Sequence, residues 1–186
     1  MKARRTRNPG EVALELNRRD ELMMDAATRT AVKSPLKLQR ILVPIDFSDC
    51  SKKALQYALP LAKEHGATLT LLYVVPPAYG AGEYGGIDYA QLEGSMKEGG
   101  EKELAKLVVD EVRSEVPTDT LVRIGSPARQ IIEAARSLPA DLIVISTHGR
   151  TGLKHVFLGS VTEHVVQRAP CPVFVVRERE HEILAS

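Results

Sequence analysis

The chain has 186 residues, room for one domain of ordinary size plus an appendage, and its 44% hydrophobic content is near the globular norm. No apolar run approaches the roughly 20 residues of a membrane span, so a membrane partner is not expected. Cys50 and Cys171, the two cysteines, stand in no CxxC or Cys/His ligand spacing, which argues against a disulfide framework and against a zinc site. No apolar stretch follows the N-terminal basic residues, so the expected compartment is the reducing cytoplasm.

Net charge is +1, but residues 1–40 carry ten Lys/Arg against five Asp/Glu, and residues 41–186 carry fifteen against nineteen. A body of that sign is a poor nucleic-acid surface, because non-specific affinity comes from Lys/Arg neutralising phosphates.

In chain order, residues 1–38 read as a basic extension punctuated by Asn8-Pro9-Gly10 and Ser34-Pro35, with one helical stretch over Glu11–Ala27. Termini that are not docked are poorly ordered, so this segment is expected to be a mobile tail. A partner-binding helix or a targeting segment is the alternative.

From residue 39 to 178 short apolar runs alternate with amphipathic stretches. Strands are expected over Arg40–Ile45, Thr68–Val75, Asp119–Ile124, Asp141–Ser146 and Pro172–Val176, and helices over Ser51–His65, Ala90–Val116, Pro127–Leu138 and Val161–Arg168. Near-continuous Ile/Leu/Val strands alternating with helices predict an α/β fold: a Rossmann-like sandwich with a five-stranded parallel sheet covered on both faces. Ser126-Pro127 supplies a helix start and Gly66 a helix stop. Pro44 inside a strand predicts an irregular rim. The connection Pro76–Gly86, rich in glycine and tyrosine, is too long for an ordinary strand-to-helix loop and reads as a lid or as a disordered insertion. Residues 179–186 form a charged C-terminal tail.

In such sheets ligands bind beyond the carboxyl ends of the strands, where strand order reverses. The first strand ends on Asp46, an acceptor for a base or sugar hydroxyl, or else the start of a turn or cap. The fourth ends on Ser146 and enters Thr147-His148-Gly149-Arg150-Thr151-Gly152, then Gly159-Ser160-Val161-Thr162 at the head of a helix. Glycines and the free N–H groups of a helix N-terminus suit an anion. Ser160 and Thr162 add hydroxyl donors, or serve as caps. His148 has no carboxylate in the motif to orient it as a base, and no catalytic residue is assigned.

The spacing Ser146-x2-Gly149-x9-Gly159-Ser160 resembles the G-x2-G-x9-G-[ST] signature of the universal stress protein family, with serine in place of the first glycine. The resemblance extends through Ile41–Ser48, Gly125-Ser126-Pro127 and Ala169–Val173. It implies strand order 3-2-1-4-5 and an adenine nucleotide, ATP or AMP, with a Mg2+ that could arrive on the phosphates. The base would lie against Pro44, Ile45, Asp46 and Val74, with Ile145 and Ser146 on the fourth strand. The phosphates and ribose would meet His148, Gly149, Arg150, Gly159, Ser160, Val161 and Thr162. It also implies a homodimer through the C-terminal strand, at Val173, Phe174 and Val175. The expected function is a nucleotide-binding regulatory module of the stress response acting on a protein partner. A slow ATPase and a nucleotide-free dimeric interaction protein are the alternatives; no G-x4-G-K-[ST] phosphate loop is present.

Overall fold

The computed structural model describes residues 2–5, 12–15, 37–77, 89–148 and 158–177. Contacts divide the chain into two units, Met1–Leu36 and Lys37–Ser186. In the first, β1 (Lys2–Arg5) pairs antiparallel with β2 (Val12–Glu15). This corrects the helix expected from Glu11: over Val12–Glu15 the backbone groups find their partners across a ladder instead of along a helix. The rest of that expected helix lies outside the described residues, as do the connection at residues 78–86 and the tail at 179–186.

The second unit is built on β3 (Arg40–Ile45), α1 (Asp49–His65), β4 (Thr68–Val75), α2 (Tyr89–Leu107), β5 (Thr118–Ile124), α3 (Pro127–Ser137), β6 (Leu142–Ser146), α4 (Ser160–Arg168) and β7 (Val173–Val176). The sheet is parallel, in the order β5-β4-β3-β6-β7, which is the 3-2-1-4-5 order expected. One face buries Ile41, Val43, Leu69 and Leu71 against Ala54, Leu55 and Ala58 of α1 and Leu104 and Leu107 of α2. The other buries Leu42, Leu72, Ile143 and Ile145 against Ile131, Ile132 and Ala135 of α3 and Val165 of α4. Alternate residues of each strand thus serve opposite layers, which is why these strands read as unbroken apolar runs.

Helix ends follow local chemistry. Ser48 caps α1, its side chain accepting from Ser51 N at 3.2 Å, and Gly66 ends the helix in the left-handed region at φ 65°. Ser126 holds the N-cap position of α3 with Pro127 next, but its hydroxyl makes no capping bond. The helix expected to run to Val116 stops at Leu107 and gives way to a wide π-type turn over Val108–Val112, closed by Arg113 N donating to Val108 O at 3.1 Å. The reason is spacing. An α-helix carrying Leu104 and Leu107 inward would next present Glu111 to the core, and one extra residue per turn brings in Val112, buried, while Val109 faces out.

Along α2, residues 91–99 are exposed or half-exposed, and Gly100 is buried.

Candidate functional site

β3 shares six consecutive register pairs with β4, from Arg40↔Thr68 to Ile45↔Tyr73, but only two with β6, Ile41↔Leu142 and Leu42↔Ile143. Pro44 explains the difference. Arg40 accepts from Asp141 N on the β6 side at 2.9 Å, and with a period of two Pro44 faces the same way with no N–H to continue the ladder. The two central strands therefore part at their carboxyl ends, at the point where chain order reverses.

A cavity of about 320 Å³ fills that gap. Its apolar side comes from Pro44 and Ile45 of β3, Leu72 and Val74 of β4, Ile145 of β6, and Pro127 and Ile131 of α3. Its polar side comes from Asp46, Ser51, Ser146, Thr147, His148, Ser160 and Thr162. The volume falls in the range of small-molecule pockets.

Asp46 follows the last residue of β3, and its Oδ1 accepts from Ser48 N at 3.1 Å and from the Ser48 hydroxyl. It starts a turn, and the cap of α1 is Ser48. Asp46 is nonetheless among the residues that line the cavity.

At β6 the chain is tied back on itself. Ser146 Oγ donates to His148 O at 3.0 Å, and Thr147 Oγ1 lies 2.9 Å from His148 Nδ1. Thr162, buried in the first turn of α4, donates from Oγ1 to Ser146 O at 2.8 Å. That carbonyl lies beyond the end of the β3 ladder, and the threonine supplies its partner. Of the two roles expected for the Thr162 hydroxyl, ligand donor or local bond to the backbone, this structure shows a local one, its proton directed at the end of β6.

Gly159 is the N-cap of α4, with φ −66° and ψ 148°, an extended conformation open to any residue. Its N–H donates to Thr147 O at 2.9 Å, and a Cβ at this position would lie 2.8 Å from that same oxygen. Glycine is needed here for close approach to the strand end, and its N–H is not available to a ligand. The first intrahelical bond is Glu163 N to Gly159 O, and the N-cap glycine itself has no side chain to cap the helix. The N–H groups of Ser160, Val161 and Thr162 thus lie before the helical ladder, on residues that line the cavity. Ser160 is the first helical residue and not a cap.

Of the residues assigned from sequence, Pro44, Ile45, Asp46, Val74, Ile145, Ser146, His148, Gly159, Ser160, Val161 and Thr162 come together around this one cavity. Gly149 and Arg150 lie outside the described residues. Sequence reading missed Ser51, Leu72, Tyr73, Pro76, Pro127, Ile131 and Thr147 as lining residues. Leu72 stands two before Val74 on one face, and Ile131 four after Pro127, so the period of each element was the available signal.

Burial, helped by the Asp141 carboxylate, pushes the Cys171 thiol up. On the exposed side of α3 the hydrogen bond from Arg129, at 2.8 Å, holds the Glu133 carboxyl down. Among the described residues, no three His, Cys, Asp or Glu side chains group as metal ligands, and no helix is long and apolar enough to cross a membrane.

Residues 37–177 match the universal stress protein family. A universal stress protein of Methanocaldococcus jannaschii is 36% identical over 146 residues, 77% of this chain and 85% of the relative. Among solved structures, the universal stress protein UspA from Lactobacillus plantarum superposes with a TM-score of 0.66 at 28% identity, covering 76% of this chain and 99% of its own. Two further structures share the fold. One is a universal stress protein in complex with cAMP (TM-score 0.55, 22% identity, 76% of this chain and 98% of its own), and the other is the Archaeoglobus fulgidus protein in complex with dAMP (0.52, 23%, 76% and 99%). With the parallel sheet, its order and the parted central strands already established, these matches show that the chain belongs to the universal stress protein family.

Proposed function

We propose that this protein binds an adenine nucleotide, ATP or AMP, in the cavity between β3 and β6, and works as a dimeric regulatory module of the stress response. The observation that carries the reading is the cavity's mixed lining, apolar strand residues together with the first turn of α4. Pro44, Leu72, Val74 and Ile145 give apolar lining suited to a planar base, and the first turn of α4 lines the same cavity with backbone N–H groups that precede the helical ladder and suit a phosphate. Two proteins of the same fold have been solved with adenine nucleotides, which supports the class of ligand.

Ser160 and Val161 carry N–H groups for the phosphate, and Asp46 lies at the rim as an acceptor for a base or ribose group. Thr162 and Gly159 act indirectly, by seating α4 against the end of β6. Asp46 is the only Asp or Glu among the cavity-lining residues described, so Mg2+ would be held mainly by the nucleotide's own phosphate oxygens. The Ser146 hydroxyl turns back to His148 O, which supports a site that takes serine in place of the family's first glycine.

Dimerisation is proposed through β7, the last strand of the sheet. Thr147 N reaches Val176 O and Ile143 N reaches Pro172 O, so the backbone groups of Val173 and Val175 face away from β6, along an edge suited to pairing with a second copy. Phe174 is exposed on the same strand. Native mass spectrometry of the purified protein tests both halves of the reading. A dimer carrying an adenine nucleotide is expected, and a monomer carrying none after incubation with excess ATP and AMP would overturn it.

A further inference from the structure

Phe47 stands immediately after Asp46 with φ 65°, in the left-handed region that a bulky side chain rarely adopts. Such backbone persists where the surroundings over-determine it, and it concentrates at functional sites. Three contacts hold it here. The hydrogen bonds from Ser48 N and Oγ to Asp46 Oδ1 close a turn across residue 47, so the backbone angle of Phe47 and the position of the Asp46 carboxylate are geometrically linked. The Phe47 ring packs on Tyr73, with centroids 4.8 Å apart and planes tilted by 53°. The Tyr73 ring in turn lies on Gly100 of α2 so closely that a Cβ there would come within 2.5 Å of Cδ1 and 2.7 Å of Cε1.

We propose that Phe47 is a positioning residue for the ligand cavity: the packed series Gly100, Tyr73, Phe47 holds a left-handed turn that sets the Asp46 carboxylate at the rim. This rests on the reading of the cavity as a nucleotide site. The series begins on α2, across the sheet from α3 and α4, so a helix on the opposite face governs the ligand's acceptor. A purely structural aromatic pair would not require the disfavoured backbone. A glycine at residue 47 would adopt the same φ at no steric cost and would fold as well. What glycine lacks is the ring that selects this conformation among those open to it.

The test separates stability from affinity in the full-length protein. Wild type, Phe47→Ala, Phe47→Gly, Phe47→Tyr and Gly100→Ala are melted without ligand and titrated with ATP and with AMP, and Phe47→Ala is repeated in an Asp46→Asn background. Phe47→Gly should melt above Phe47→Ala, because glycine accepts the left-handed angle, yet bind no better than it, with both weakened about tenfold. Phe47→Tyr keeps the ring and should bind as wild type does. Gly100→Ala should weaken binding although alanine ordinarily favours a helix. In the Asp46→Asn background Phe47→Ala should add no further loss. If wild type binds and the Phe47 variants bind equally well, the proposal is wrong and the nucleotide reading stands. Losses that add to that of Asp46→Asn, or affinities that simply follow melting temperature, also overturn it. A wild type that binds no adenine nucleotide overturns both.

Discussion

Replacing Thr162 by valine removes one proton donor from a buried site while nearly preserving shape. Thr162 is 3% exposed, and its hydroxyl is 2.8 Å from Ser146 O, a carbonyl past the point where β3 and β6 stop pairing. Valine would leave that carbonyl without this partner, a loss of about 1–3 kcal/mol for a buried polar group. In a domain of this size the melting temperature should fall by roughly 3–10 °C. The same bond seats the first turn of α4 against the strand end, so nucleotide affinity should fall with it. Thr162→Ser keeps the donor and loses one methyl, about 1 kcal/mol, and should retain affinity. Thermal melts by circular dichroism and calorimetric titration read the two effects. A valine variant that melts and binds as wild type does would show that the bond does not hold the helix in place.

Gly159→Val should lower stability as well as binding, because its Cβ would meet Thr147 O at 2.8 Å, and a change in binding with no change in melting would refute that contact. Val175→Pro deletes an N–H that faces away from β6 and leaves the β6 ladder intact, so sedimentation should show monomer where wild type is dimer; an undiminished dimer excludes pairing through this edge. Deleting residues 1–36, the first of the two units, should move the melting temperature by less than ~2 °C, and a larger fall would show that the extension contributes to the domain's stability.

Most of the sheet was legible because burial on both faces forces unbroken apolar runs: β3 and β4 begin and end where the sequence places them, and β5, β6 and β7 differ by one residue at one end. Strand order was not legible from spacing and came from family resemblance. The end of α2 was missed because core demand at Val112 overrode helical periodicity, an effect visible only when Glu111 is weighed against the layer it would enter. The strand at Val12–Glu15 was missed because four residues carry too little pattern to outweigh helical spacing.

For the cavity, residue types pointed to the correct strand ends but not to who bonds whom. Thr162 and Gly159 looked like ligand donors, and both have their protons committed to the end of β6. That Phe47 would be left-handed had no sequence signal, since the residue type argues against it.

The central claim is that the gap between β3 and β6 holds an adenine nucleotide, and calorimetric titration of the dialysed full-length protein tests it most directly. ATP or AMP should bind at one site per chain and compete with each other, NAD should bind more weakly, and Ser160→Pro, which removes one N–H from the first turn of α4, should reduce the affinity. Saturable binding of NAD with no response to ATP or AMP would contradict the account.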